Sequence, residues 1–272
     1  MGSGIAQVAA AAGYRVTLSD VDQRFVDKGL ETIRRSLGKF LEKGKLTQGD
    51  HDATLARITT TLKVEDCAKA DLVVEAIIEK PEAKKDLFRR LDAAARPTTI
   101  LATNTSSIPI TELAAATRRH DRFIGMHFMN PVPLMQLIEV IRGLETSDAT
   151  TKTILEISQK MGKTPIEVND FPGFATNRIL LPFINEAFFA LMEGVATKEA
   201  IDQCAKLGLN HPMGPLELAD FVGLDTALYV LEVMHAGLGD PKFRPCPLLR
   251  KYVQAGRLGR KVGKGVYDYP PR

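Results

Sequence analysis

The chain has 272 residues, 44% apolar and 25% charged, with 36 Lys and Arg against 33 Asp and Glu for a net charge of +3. At about 150 residues per domain this length predicts two domains, and the composition argues against a disordered, collagen-like or coiled-coil chain. The small, interspersed charge, the lack of Trp and the five Tyr argue against a nucleic-acid surface, and no window of 18 uncharged apolar residues offers a membrane span.

From the N-terminus, Ile5, Val8, Ala9 and Ala12 share one helical face, Gly13 stops that helix, and Arg15–Asp20 reads as a strand ending in an acid. The opening has no basic segment ahead of an apolar one, so no secretory signal is expected. In dinucleotide-binding folds an acidic residue about 20 positions past the glycine turn accepts hydrogen bonds from ribose hydroxyls. Gly2 and Asp20 fit the last glycine and that acid, with Gly2 expected where the helix packs close to the sheet. The strand and two glycines that would come first are not in the sequence. The expectation is an N-terminally truncated dinucleotide fold whose sheet lacks its central strand.

Gln23–Lys43 follows as a helix with the apolar stripe Leu30, Ile33, Leu37, Phe40 and Leu41, and with Arg34, Arg35, Lys39 and Lys43 among its polar positions. Strands are predicted at Leu72–Ile78, Thr98–Thr103, Phe123–Phe128, Gln136–Ile141 and Thr164–Val168, with helices at Pro81–Ala95 and Ser147–Met161. Strands alternating with helices imply a mostly parallel sheet covered on both faces, and the run Leu72–Ile78 barely alternates in polarity, as for a strand buried on both sides. After Asp170-Phe171-Pro172-Gly173 the strand signal stops. Helices are predicted at Phe174–Glu193, Lys198–Leu207, Leu216–His235 and Leu248–Gln254, with Gly208 placed as the glycine that follows a helix end. The fold class is therefore an α/β Rossmann-like domain over residues 1–170, then an all-α domain over 171–272.

Cys67, Cys204 and Cys246 have no CxxC spacing and read as reduced thiols, which with the absent signal places the protein in the cytoplasm; no metal site is expected. His127 ends an apolar strand, where α/β folds bind ligands, and is either a proton-transfer group or a satisfied structural histidine. Glu139 lies in an otherwise apolar strand, a position that is unfavourable for a carboxylate unless it is paired or on an edge facing water. Ser106 follows the strand at Thr98–Thr103 and is a site hydroxyl or a helix or turn cap. Glu82, Lys84, Lys85 and Asp86 on their own make a solvated helix face.

Five strings occur in order: Ala102-Thr-Asn-Thr-Ser-Ser107, Gly125-Met-His-Phe-Met-Asn-Pro-Val-Pro133, Pro172-Gly-Phe-Ala-Thr-Asn-Arg178, His211-Pro-Met-Gly-Pro-Leu216 and Leu258-Gly-Arg-Lys-Val-Gly-Lys-Gly-Val-Tyr267. Together they resemble the 3-hydroxyacyl-CoA dehydrogenase family, most closely its bacterial stand-alone 3-hydroxybutyryl-CoA dehydrogenases, over essentially the whole chain. The sequence departs at the truncated start and at Met129, where relatives usually carry Phe.

The resemblance implies reversible oxidation of a (3S)-hydroxyacyl-CoA to the 3-oxoacyl-CoA, with NAD favoured over NADP because Asp20 would repel a 2′-phosphate; Arg24 works against that inference. It implies His127 as general base and acid, Glu139 as the carboxylate that orients it, Ser106 at the 3-oxygen, and Asn177 reaching the substrate carbonyl region from the second domain. On the cofactor side it implies Gly2, Asp20, Glu79, Lys84, Ser106, Asn130 and Lys261; on the CoA side Ser106, Lys39 and Lys43. The apolar residues Phe183, Ile184, Phe188, Phe189, Leu191 and Met192 are expected to serve a homodimer through the helical domain. Two other readings remain: a non-catalytic relative that kept the fold, as lens crystallins did, and a sugar-acid dehydrogenase on the same scaffold.

Overall fold

A computed structural model of the chain describes residues 1–270. Two compact units meet at Asp170 and Phe171. The first opens with helix α1 (Gly2–Ala11), strand β1 (Val16–Ser19), helices α2 (Gln23–Glu42) and α3 (Gln48–Ala56), strand β2 (Ile58–Thr61), the single turn α4 (Val64–Cys67) and strand β3 (Leu72–Glu75). It continues with α5 (Pro81–Ala94), β4 (Ile100–Thr103), α6 (Ile110–Ala114), β5 (Phe123–Phe128), β6 (Leu137–Arg142), α7 (Asp148–Lys160) and β7 (Thr164–Asn169). Side chains of Asp22, Thr47 and Ser147 accept backbone N–H groups at the starts of α2, α3 and α7, which is why those helices begin where they do.

The strands form two sheets: β1 and β2 pair in parallel, and the other five run in the order β3-β4-β5-β6-β7. Every neighbouring pair is parallel except β5 and β6, which run antiparallel. Among the described residues no strand joins the two pieces. Alternation along β5 sorts its side chains to two faces. Ile124, Met126 and Phe128 enter a core shared with Ile5 and Val8 of α1 and Ile154 of α7. Phe123 lies on the other face, its ring centroid 4.6 Å from that of Phe88 on α5. At Gly125 a Cβ would sit 2.8 Å from Ile110 Cδ1 of α6 and from Ile141 Cβ, so only glycine lets α6 approach this strand. His127 is two residues further along that same face.

Several sequence expectations change. The strand predicted over Leu72–Ile78 ends at Glu75, and Ile77 and Ile78 are exposed, because the Glu75 carboxylate accepts the Ile77 N–H and turns the chain away. Helices α3 and α6 and strand β2 were not anticipated; α3 has little apolar periodicity, and β2 reads Ile-Thr-Thr-Thr. The close approach of α1 falls at Gly4, whose Cβ would lie 2.8 Å from Val132 Cβ. Gly2 has only ordinary space, 3.9 Å from Ala76.

The second unit is helical: α8 (Thr176–Met192), α9 (Lys198–Gly208), α10 (Pro215–Val222), α11 (Leu224–Leu238) and α12 (Pro247–Gln254). The single helix predicted over Leu216–His235 is two, bent by 96° at Gly223, whose φ of 102° only glycine adopts without strain. Gly208 is the last helical residue rather than the one beyond it; the left-handed conformation falls on Asn210, at φ 55°. Leu181, Ile184 and Phe188 of α8 pack with Leu216, Leu224, Leu231 and Leu249 in this unit's core. Ile184 and Phe188 are thus satisfied within the unit, while Met192 is exposed. No single described helix is long and apolar enough to cross a membrane.

Candidate active site

The antiparallel register of β5 and β6 sets His127 directly opposite Glu139, so residues twelve apart in sequence become cross-strand neighbours on one face. His127 Nδ1 lies 2.7 Å from Glu139 Oε2, and both side chains are buried. A carboxylate can only accept, so Nδ1 carries the proton and the Nε2 lone pair is turned the other way. It faces Ser106 Oγ at 3.1 Å, on the loop that leaves the carboxyl end of β4. Glu139 therefore is not an edge carboxylate in water: β6 is flanked by β5 and β7, and the residue is 1% exposed. His127 is buried yet linked to a hydroxyl at the strand end, where the fold presents ligands.

The loop holding Ser106 is itself tightly held. Glu79 Oε1 accepts the Thr105 hydroxyl at 2.5 Å, the Ser106 N–H at 2.8 Å and the Ser107 hydroxyl at 3.3 Å. Thr105 Oγ1 in turn accepts the N–H groups of Ser107 and Ile108, so Thr105, rather than Ser106, caps this turn. Behind Glu79 stands Lys84, its Nζ 3.3 Å from Glu79 Oε2, 2.6 Å from Glu75 Oε1 and 3.5 Å from the Ile77 carbonyl. Lys84 is fully buried, which overturns its reading as part of a solvated helix face; Lys85 beside it does pair with exposed Glu82 and Glu112. Glu75 also accepts the Thr103 hydroxyl at 2.7 Å. Sequence reasoning missed Glu75 and Thr103, although a carboxylate inside an apolar strand is the same signal that singled out Glu139. It also missed Asn104, whose Oδ1 accepts the Phe128 N–H at 2.9 Å and ties the end of β4 to the strand of His127.

The remaining candidates are more dispersed. Gly2 opens α1 beside Ala76, just past the carboxyl end of β3. The helix start directs unpaired N–H groups there, an arrangement suited to a phosphate. Asp20, exposed just beyond β1, accepts the Val21 N–H at 2.7 Å, and nearby Arg24 is drawn to Asp22 at 2.8 Å. Asn130 is exposed beyond β5. The segment after it is anchored by buried Lys163, which donates to the carbonyls of Val132 and Met135 at 2.6 and 2.7 Å; desolvation lowers its pKa. Lys39 is exposed on α2 and Lys43 just past its end, and neither forms an ion pair among the described residues. In the second unit, Asn177 lies in the first turn of α8, and Lys261 is 2.6 Å from the carboxylate of Asp225. No cluster of three potential metal-binding side chains occurs among the described residues.

Comparison with known proteins gives one consistent picture. Residues 1–171 match the family described as "3-hydroxyacyl-CoA dehydrogenase, NAD binding domain", and residues 173–269 match "3-hydroxyacyl-CoA dehydrogenase, C-terminal domain". A protein of Deinococcus radiodurans named "Probable 3-hydroxybutyryl-CoA dehydrogenase" is 60% identical over 269 residues, covering 99% of this chain and 96% of the relative. A 3-hydroxybutyryl-CoA dehydrogenase of Bradyrhizobium diazoefficiens is 54% identical, with 99% and 92% covered. The crystal structure of (S)-3-hydroxybutyryl-CoA dehydrogenase from Ralstonia eutropha superposes with a TM-score of 0.97 at 50% identity, covering all of this chain and 96% of that one.

Proposed function

Because this chain belongs to the 3-hydroxyacyl-CoA dehydrogenase family, an NAD-dependent group of oxidoreductases, we propose that it interconverts short-chain (3S)-hydroxyacyl-CoA and 3-oxoacyl-CoA, with 3-hydroxybutyryl-CoA as substrate. The observation that carries this reading is the hydrogen-bonded line from Ser106 through His127 to Glu139. A secondary alcohol releases hydride readily only as its proton leaves, so the reaction needs a base at the hydroxyl. His127 Nε2 is the acceptor in oxidation and the donor in reduction. Glu139 stabilises the imidazolium formed when Nε2 takes the proton, and its low-dielectric surroundings strengthen that effect. Ser106 donates its hydroxyl to the 3-oxygen. The N–H groups of residues 105 to 108 already have acceptors on Glu79, Thr103 and Thr105, so the hydroxyl, not a backbone oxyanion hole, is what this turn presents.

The start of α1 at the carboxyl end of β3, with Asp20 beyond β1, fits a dinucleotide and so supports NAD. Bound there, NAD would supply the acceptor for the hydride that leaves C3 of the substrate. Asp20 takes the ribose hydroxyls; Glu79, Asn130 and Lys261 are assigned to the cofactor by the family pattern, and Lys39 and Lys43 to the CoA phosphates. Asn177 is assigned to the substrate carbonyl on the same ground. Exposed Met192 and Ile179 on α8 favour a homodimer through the helical unit. The free thiols of Cys67, Cys204 and Cys246 favour a reducing compartment, the cytoplasm.

The test is NADH consumption with acetoacetyl-CoA, read by absorbance, beside a His127→Gln control. Turnover that disappears in the control supports the reading; equal turnover in both removes His127 from the proton-transfer role. Longer acyl-CoA thioesters, NADPH and sedimentation equilibrium test chain length, cofactor and dimer in turn.

A further inference from the structure

We propose that Glu75, Lys84 and Thr103 form a buried clamp that positions Glu79 and, through it, the Ser106 turn. The proposal deepens the reading of the site above and rests on it. The ammonium of Lys84 has three protons and three acceptors, Glu75 Oε1, Glu79 Oε2 and the Ile77 carbonyl. Its side chain is wholly buried, and its ion pair with Glu79 is the route by which Lys84 reaches the Ser106 turn. Glu75 is equally committed: it accepts from Lys84, from the Ile77 N–H and from the Thr103 hydroxyl.

The division of labour follows from the two oxygens of Glu79. Oε2 is held by the lysine, which leaves Oε1 aimed at Thr105, Ser106 and Ser107. Glu79 is only partly buried, with a side chain 29% exposed, so without a fixed cation it would rotate into water. Glu75 supplies the second charge that makes burial of the ammonium tolerable, since one buried lysine beside a half-exposed carboxylate is poorly compensated. Thr103 sits at the end of β4, three residues before Ser106; its hydroxyl locks Glu75 to the strand from which the Ser106 loop departs, and its oxygen also accepts the Thr105 N–H at 3.3 Å. Orientation of the Ser106 hydroxyl toward His127 is thus set by charges that do not themselves face the reacting atoms.

The first variant is Thr103→Val, which keeps shape and removes only the hydroxyl, with Thr103→Ser as the conservative partner. The second is Glu75→Gln/Lys84→Met, which removes both buried charges together. Two readouts apply. In the apo chain, amide hydrogen exchange by mass spectrometry is expected to lose protection about tenfold in residues 104–108 for Thr103→Val and more for the double variant, with α7 and α8 unchanged and Thr103→Ser near wild type. In acetoacetyl-CoA reduction, kcat is expected to fall about threefold and tenfold, respectively, with KM for the thioester within about twofold. Unchanged protection at 104–108 in a folded Thr103→Val protein overturns the clamp whether or not the wild type is active. So does a double variant with wild-type kcat. An inactive wild type with the expected exchange pattern would instead count against the proposed reaction and leave the clamp standing. If the double variant does not fold, the Thr103 pair still decides at the Ser106 N–H, which is bonded to Glu79, whereas the Thr105 N–H is bonded to Thr103 itself; unchanged protection at Ser106 overturns the clamp.

Discussion

Both units bury carboxylates, but they answer them with different partners. In the first unit Glu139 faces an imidazole and Glu75 faces an ammonium. In the second, Asp202 accepts the N–H groups of Leu216 and Glu217 at the start of α10, and Asp220 accepts those of Val266 and Tyr267 in the C-terminal segment. Tyrosine hydroxyls complete that second set, Tyr267 on Asp202 and Tyr269 on Asp220. A carboxylate answered by a side chain that can carry a positive charge can tune or position a proton-transfer group. One answered by backbone N–H groups fastens chain to chain. The difference separates chemistry from architecture among groups equally hidden from water.

Substitutions that respect charge or shape sharpen this contrast. The largest effect is expected from His127→Gln, which should cut turnover about 10²-fold or more while the urea midpoint stays at the wild-type value. Loss of fold together with activity would move His127 to the architectural class. Gly265→Ala comes next, because its Cβ would fall 1.9 Å from Asp220 Oδ1; a stability loss of about 2–3 kcal/mol in urea unfolding is expected. Asp220→Asn should cost about 2 kcal/mol, since an amide offers one acceptor where the carboxylate serves two N–H groups and a tyrosine hydroxyl. Glu139→Gln should reverse that pattern, lowering kcat about tenfold with stability retained, because its amide oxygen still accepts from Nδ1 while the charge is gone.

The smallest effect is a pH dependence. Burial raises the Asp220 carboxyl above the usual aspartate value, against the opposing N–H bonds of Tyr267 and Val266. The folded protein then binds the proton more tightly than the unfolded chain, so this group's contribution to stability falls as pH rises from the unfolded value through the raised folded one and is constant above it. The stability gap between wild type and Asp220→Asn should therefore be wider below that window than above it. A gap that widens upward would contradict the direction of the shift.

How much of this was legible beforehand differs by residue. Ser106, His127 and Glu139 are polar residues at the ends or in the middle of apolar strands, a pattern that leaves a structural reading open for each; the family resemblance selects them as a site, and the structure brings the three together. Glu75 carried the same signal inside Leu-Val-Val-Glu-Ala-Ile-Ile, but the run was read as one uninterrupted buried strand, whereas Glu75 is what ends it. The pattern around Lys84 on its own matches an exposed helix face; only the packing of α5 reveals that this lysine, unlike Lys85, points inward. The break at Gly223 was hidden because the flanking residues keep helical periodicity on both sides of a glycine whose φ of 102° belongs to the fold rather than to the pattern.

By itself the sequence determined the alternation of strands and helices and the change of texture near residue 170, while the candidate site residues came from the family resemblance of its motifs. Local periodicity and residue chemistry are properties of neighbouring positions, so they can be read in order along the chain. The resemblance implies that Glu139 orients His127, but the geometry of that pair, and the partners of Glu75 and Lys84 altogether, come from tertiary structure. Register between β5 and β6 pairs His127 with Glu139, and the packing of α5 at the ends of β3 and β4 pairs Lys84 with Glu75 and Glu79. Those contacts join positions five to twelve residues apart across different elements, and a carboxylate removed from water has no fixed partner until the fold supplies one.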